Sequence, residues 1–135
     1  MRRNPSQVGA VAEREVAYAL SKAGHDVFLP LLAPHSRVDL VADVRSKLLR
    51  IQVKSARIVG SAVVFHSCSN TGNVPKDYAG DVDAFGVYSP ALHTCYLVPI
   101  ADAPSRACSL RLAPARNNQQ QGVRWACDYL IQSAP

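Results

Sequence analysis

No stretch of the chain approaches the roughly 18 consecutive apolar residues that a membrane-spanning helix needs. The longest apolar run, Val27-Phe28-Leu29-Pro30-Leu31-Leu32-Ala33-Pro34, is far shorter and carries two prolines. A basic start, Met1-Arg2-Arg3, is followed by no apolar signal-peptide core. C-x-x-C pairs are also missing: Cys68, Cys95, Cys108 and Cys127 are spread along the chain. Reduced, mostly structural thiols are expected from that spacing. His66 and Cys68 lie close in sequence, but in an extended segment they share one face rather than forming half of a zinc site. Internal repeats are absent, and the one biased run is Asn117-Asn118-Gln119-Gln120-Gln121.

What is present is a chain of 135 residues with 48% hydrophobic residues, enough for one compact domain, residues 1–135, with a real core. Fifteen Lys and Arg against ten Asp and Glu leave a formal charge of +5. That surplus admits a polyanionic partner, of which nucleic acid is the commonest, but charge alone does not choose it.

Apolar residues Val8, Val11, Ala12, Val16, Ala19, Leu20 and Ala23 recur at three- and four-residue spacing, which predicts a helix over 9–24. Asn4 or Ser6 with Pro5 starts it and Gly24 ends it. A short buried strand, Val27–Leu29, follows and is stopped by Pro30. Further strands are expected at 62–66, 83–88, 94–99 and 109–112, a loop over 67–75, and a closing amphipathic helix over 123–131 with Trp125 in its core. Helix, strands and helix together predict a mixed α/β fold.

Residues 37–55 are the most informative. Two β-rich runs flank Arg45-Ser46, which reads as a hairpin with Val44 opposite Lys47 and Asp39 opposite Gln52. Alternation then puts Val38, Leu40, Ala42, Leu49, Ile51 and Val53 on one face. Asp39, Val41, Asp43, Leu48, Arg50, Gln52 and Lys54 take the other. A slip of one residue would mix the two faces, so this register is favoured. A carboxylate, an amide and an ammonium converge at the open end of the hairpin. Hydrolysing a phosphodiester requires neutralising charge on phosphorus and supplying hydroxide. A hard divalent ion on oxygen ligands with a nearby ammonium serves both needs.

The ordered motifs Gly9-Ala10-Val11-Ala12-Glu13, Ala23-Gly24-His25-Asp26-Val27, Val38-Asp39-Leu40 and Ile51-Gln52-Val53-Lys54 resemble the core of the PD-(D/E)xK nuclease superfamily. Order and spacing are closest to small group I intron homing endonucleases of cyanobacteria and to archaeal Holliday-junction resolvases. Residues 77–85 and 116–121 look more like the homing-endonuclease branch. The resemblance implies a restriction-endonuclease-like fold, with a mixed central β-sheet flanked by helices. It makes Asp39 the principal metal ligand, Gln52 the second acidic position, Lys54 the motif lysine and Glu13 the helix carboxylate. Val53 adds its backbone carbonyl as a ligand. Two departures stand out: Val38 precedes Asp39 where relatives carry Pro, and Gln52 replaces Glu, which removes one negative charge. The helical wheel itself leaves Glu13 and Glu15 open, Glu15 lying nearer the middle of the apolar stripe; the family spacing selects Glu13. On this reading Glu15 is a structural partner for an arginine such as Arg50, or has no special role.

The implied cofactor is Mg²⁺, with Mn²⁺ as a substitute, and the implied substrate is double-stranded DNA. Candidate DNA-binding residues are Arg37, Arg57, Lys76, Tyr78, Arg116, Asn118, Gln119 and Arg124, with no role for a membrane. One small domain carries one site and duplex cleavage needs two, so a homodimer or homotetramer is expected. The expected protein is cytoplasmic, of bacterial or phage type, and a site-specific endonuclease. A junction resolvase and a weakly active DNA-binding module are the alternatives.

Overall fold

The computed structural model describes residues 4–71, 74–114 and 122–132, with only the backbone given over 69–71 and 74–77. Helix α1 spans Pro5–Lys22. Among the described residues ten strands follow: β1 (Asp26–Phe28), β2 (Leu40–Val44), β3 (Lys47–Ser55), β4 (Arg57–Val59), β5 (Ala62–His66), β6 (Cys68–Thr71), β7 (Val74–Asp77), β8 (Ala84–Ser89), β9 (Thr94–Pro99) and β10 (Ala107–Arg111). The main sheet has the order β1-β2-β3-β8-β9, all antiparallel except the β3–β8 pair. A second sheet, β10-β5-β4, packs on one face of it, and β6 pairs with β7.

Helix α1 begins where Asn4 exchanges hydrogen bonds with Gln7: the Gln7 N–H reaches the Asn4 carboxamide at 2.9 Å and the Asn4 N–H reaches the Gln7 carboxamide at 3.1 Å. This capping box starts the helix before the expected Gly9. It ends as expected at Gly24, whose φ of +93° lets the Gly24 N–H bond the Ser21 carbonyl at 3.0 Å and the His25 N–H the Leu20 carbonyl at 3.1 Å. Ala12, Val16 and Leu20 are its buried stripe, packed on Leu40, Ala42, Ile51, Val53 and Ala84. The approach is close at Gly86, where an added Cβ would stand 2.6 Å from a Val16 methyl. The opposite face of the sheet carries Phe85, Val87, Tyr96 and Val98, which meet Val63, Phe65, Cys108 and Leu110 of the second sheet.

The hairpin β2–β3 has the expected turn and register, with Val44 opposite Lys47. Arg45 and Ser46 both take positive φ, +54° and +66°, the twist a two-residue hairpin turn requires. Pairing stops at Leu40 with Ile51, one step before the expected Asp39–Gln52 pair. The Asp39 N–H instead bonds the Ile51 carbonyl at 2.8 Å, so the chain leaves the ladder there. Alternation therefore ends at Leu40, and Val38 packs with the residues between the two sheets rather than under the helix.

Three further expectations need correction. The β1 strand is an exposed edge, not a buried strand; only Val27 turns toward the helix, and Phe28 is 53% exposed. The loop expected over 67–75 contains the β6–β7 hairpin. The closing helix over 123–131 does not form. Its backbone groups bond neighbouring strands instead: the Arg124 carbonyl accepts from the Arg111 N–H, the Tyr129 carbonyl from the Leu97 N–H, and the Ile131 N–H donates to the Cys95 carbonyl. Only a 3-10 turn at Ala126–Asp128 is helical there, and Trp125 is half-buried beside Arg111. All four cysteines are free thiols. Burial of Cys95 pushes its pKa up to about 12, which keeps it a thiol at neutral pH.

Candidate active site

Asp39 stands where β2 begins beside the middle of β3. Its carboxylate accepts the Val53 N–H at 2.8 Å, replacing the ladder bond that the chain gave up. Burial raises the Asp39 pKa; the Val53 hydrogen bond and the Lys54 charge oppose that rise. Glu13 projects from α1 and its pKa is raised as well, by burial first and then by the Asp39 charge. The helix carboxylate that senses the Asp39 charge is thus Glu13. Glu15 faces elsewhere, lining a groove with Val8, Val11, Tyr88 and His93. The suggested Glu15–Arg50 pair does not occur, because Arg50 pairs with Asp83. Val16, seated on Gly86 one helical turn after Glu13, sets how closely α1, and Glu13 with it, approaches the sheet.

Gln52 is half-buried on β3 next to Phe85 of β8, and Lys54 lies two residues on, next to Val87. The Lys54 Nζ donates to the Tyr78 hydroxyl at 3.0 Å. Tyr78 is 4% exposed, its ring meets Phe85 edge-on, and the Arg37 guanidinium lies 3.4 Å from the ring centre. The ring of Tyr78, a candidate DNA-binding residue, is therefore packed into the fold rather than presented on the surface. Arg37 also pairs with Asp81. Asp39, Glu13, Lys54 and Arg37 are brought to one region, with Gln52 and Val53 on the strand between them.

The remaining cations are more scattered. Arg57 is exposed on β4 with His66 3.3 Å from its guanidinium. The Arg124 Nε donates to the Asp102 carbonyl at 2.6 Å, a structural bond that occupies one of its donors. The Lys76 side chain, and Arg116, Asn118 and Gln119 entirely, lie outside the described residues. The sequence reading missed Asp83. Its carboxylate takes the Arg50 backbone N–H at 2.8 Å and the guanidinium at 3.1 Å, joining β3 to the start of β8. Arg50 holds the Asp83 pKa below the usual carboxylate range.

The donors around Asp39 are hard: two carboxylates, an amide and a strand carbonyl. No group of three or more His, Cys, Asp or Glu side chains suited to a metal occurs among the described residues. Two carboxylates from different elements, the Asp39 charge raising the Glu13 pKa, fit a divalent cation held partly by water. The five-stranded mixed sheet with α1 packed on it is a restriction-endonuclease-like fold. The chain belongs to the PD-(D/E)XK endonuclease family, which it matches over residues 3–132. Among solved structures it is similar to a bacterial homing endonuclease, I-Ssp6803I, with 24% identity and a TM-score of 0.71 over 95% of this chain and 89% of that one. No curated protein matches the sequence. The protein is accordingly a nuclease acting on DNA, from a family that generally uses divalent metal ions. Among the described residues no helix is long and apolar enough to cross a membrane.

Proposed function

We propose that this protein is a Mg²⁺-dependent, site-specific DNA endonuclease of the homing type, with Asp39, Glu13, Gln52 and the Val53 carbonyl as the metal-holding set. The observation that carries the reading is the Asp39 carboxylate held by the Val53 N–H at 2.8 Å, with the Lys54 charge acting on it and its own charge raising the Glu13 pKa. The Val53 N–H points at Asp39, and in an extended strand the carbonyl of the same residue lies on the same side, which supports Val53 as a ligand. When bound, the ion supplies positive charge to the scissile phosphate and lowers the pKa of water. Asp39 is fixed for that task by Val53, and Glu13 by the packing of α1. Lys54 orients the attacking water or stabilises charge on the phosphate with its ammonium. Arg37 lies where it can exchange Asp81 for a phosphate oxygen. Arg57 and Arg124, with Lys76, Arg116, Asn118 and Gln119, are proposed to extend the DNA-binding surface.

Duplex cleavage by a one-site chain calls for a homodimer or homotetramer. The exposed Leu29, Leu31 and Leu32 beside the edge strand β1 supply apolar surface suited to self-association. The homing-type reading rests on the likeness to a homing endonuclease along nearly the whole chain. The test is to incubate the protein and Mg²⁺ with a randomised-site plasmid library and with a synthetic four-way junction. Cutting at a recurrent sequence is expected; preferential cutting of the junction would make it a resolvase instead.

A further inference from the structure

Tyr78 occupies an unusual position for a phenol. Its backbone is fixed, since its carbonyl accepts the N–H of Asp81 at 3.0 Å and of Val82 at 3.2 Å. Its ring meets Phe85 at 5.5 Å and 87°, and Phe85 in turn meets Phe65 at 5.4 Å. The Arg37 guanidinium covers it at 3.4 Å and is itself paired with Asp81. A ring held in this way cannot swing out, and at 4% exposure it has no face to offer a base. Its hydroxyl, however, meets the Lys54 ammonium at 3.0 Å, with Nζ 4.7 Å from the ring centre.

We infer that Tyr78 is a positioning residue for Lys54: the clamped phenol holds the ammonium in one place through the Tyr78 hydroxyl–Lys54 hydrogen bond. A lysine has a flexible four-carbon stem and loses much rotamer freedom when fixed. An ammonium has three donors; one is spent on the phenol oxygen, and two remain for phosphate oxygen or water. Holding the charge before DNA arrives removes an ordering step from the reaction. Arg37 stacks on the same ring, so one aromatic side chain organises two cations beside Asp39. The consequence for cleavage rests on the nuclease reading above; the geometry of Lys54 does not.

Tyr78→Phe tests this because it keeps the ring, its contact with Phe85 and the Arg37 stack while removing the one hydroxyl. With saturating enzyme and Mg²⁺, single-turnover cleavage of DNA by Tyr78→Phe is expected to fall about tenfold, as loss of one charge-assisted hydrogen bond would give, with DNA affinity unchanged. In the DNA-free protein, ¹⁵N relaxation of the Lys54 ammonium is expected to show an ordered group in the wild type and a mobile one in Tyr78→Phe. An ammonium equally ordered in both proteins, or an undiminished cleavage rate, overturns the inference, because a ring needed only for packing would leave Phe at the wild-type value. If the wild type cuts no DNA, the nuclease reading fails while the relaxation measurement still decides the role of Tyr78.

Discussion

The Asp39 carboxylate accepts the backbone N–H of Val53 at 2.8 Å across the end of the β2–β3 hairpin. One bond satisfies a strand N–H, fixes a partly buried acid and directs it toward the neighbouring carbonyl. The acid remains costly to ionise, because burial opposes its charge more than the Val53 hydrogen bond and Lys54 favour it.

The raised pKa of Asp39 gives Asp39→Asn a measurable signature. Asn retains a carbonyl oxygen for the Val53 N–H but has no charge to bury. Because the folded-state pKa of Asp39 is raised, the folded wild type holds protons that the unfolded chain gives up. Stability is therefore lost as pH rises from about 4 through the higher folded value. In metal-free buffer, Asp39→Asn melts above wild type at pH 7, and the difference vanishes below about pH 4. Adding Mg²⁺ raises the melting temperature of wild type and not that of the mutant. Calorimetry at several pH values reads both effects.

Glu13 and Glu15 separate cleanly in their expected effects. Glu13→Gln lowers the affinity for Mg²⁺ by about 10-fold or more, as loss of a group supporting a metal site does. Glu15→Gln, whose carboxylate lines a different groove, leaves metal affinity at the wild-type value. Titration with Mn²⁺, followed by its paramagnetic signal, measures the two constants; equal losses would assign the helix carboxylate wrongly.

Gly86→Ala reaches the site through packing. A methyl there would stand 2.6 Å from one Val16 methyl and 3.1 Å from an Ile51 methyl, so α1 must move away. Overpacking of this kind destabilises by about 1–3 kcal/mol. Since Glu13 travels with α1, cleavage at a temperature where the mutant is fully folded falls as well. Denaturant unfolding and cleavage rates on the same samples check the pair.

Asp83 has the opposite pH sign to Asp39. Its folded-state pKa is lowered by Arg50, so its contribution is present above the unfolded value near 4 and is lost as pH falls through the lower folded one. Asp83→Asn lowers the melting temperature at pH 7, and the loss shrinks in acid. Side chains about a third or more exposed make the effect salt-sensitive, so 1 M NaCl narrows the gap.

The parts of this architecture readable in the sequence are those set by local periodicity. The three- and four-residue spacing from Val8 to Ala23 gives α1, and Gly24 supplies its end. Two-residue alternation around Arg45-Ser46 sets the hairpin, down to the Val44–Lys47 pair. What sequence reasoning missed depends on distant partners. The 123–131 segment has a helical pattern, yet its backbone groups are taken by Arg111, Leu97 and Cys95. The break in the ladder at Asp39 arises because its own side chain competes for the Val53 N–H, a choice that alternation does not encode. Gly86 reads as an ordinary strand residue until α1 is laid on it, and Tyr78 as a candidate DNA contact until Arg37 and Phe85 enclose it. For Asp83, an acid heading a β-rich run was the available signal.

The most direct test of the central claim, a divalent-metal site on Asp39 that cleaves DNA, is a comparison of wild type with Asp39→Ala. Cleavage of plasmid, linear and four-way-junction DNA is followed at increasing Mg²⁺, with DNA binding measured on the same proteins. Mg²⁺-dependent cutting by the wild type, and binding without cutting by Asp39→Ala, is the predicted result. Cleavage by both proteins alike, or binding by both with no cutting of any DNA form, contradicts it.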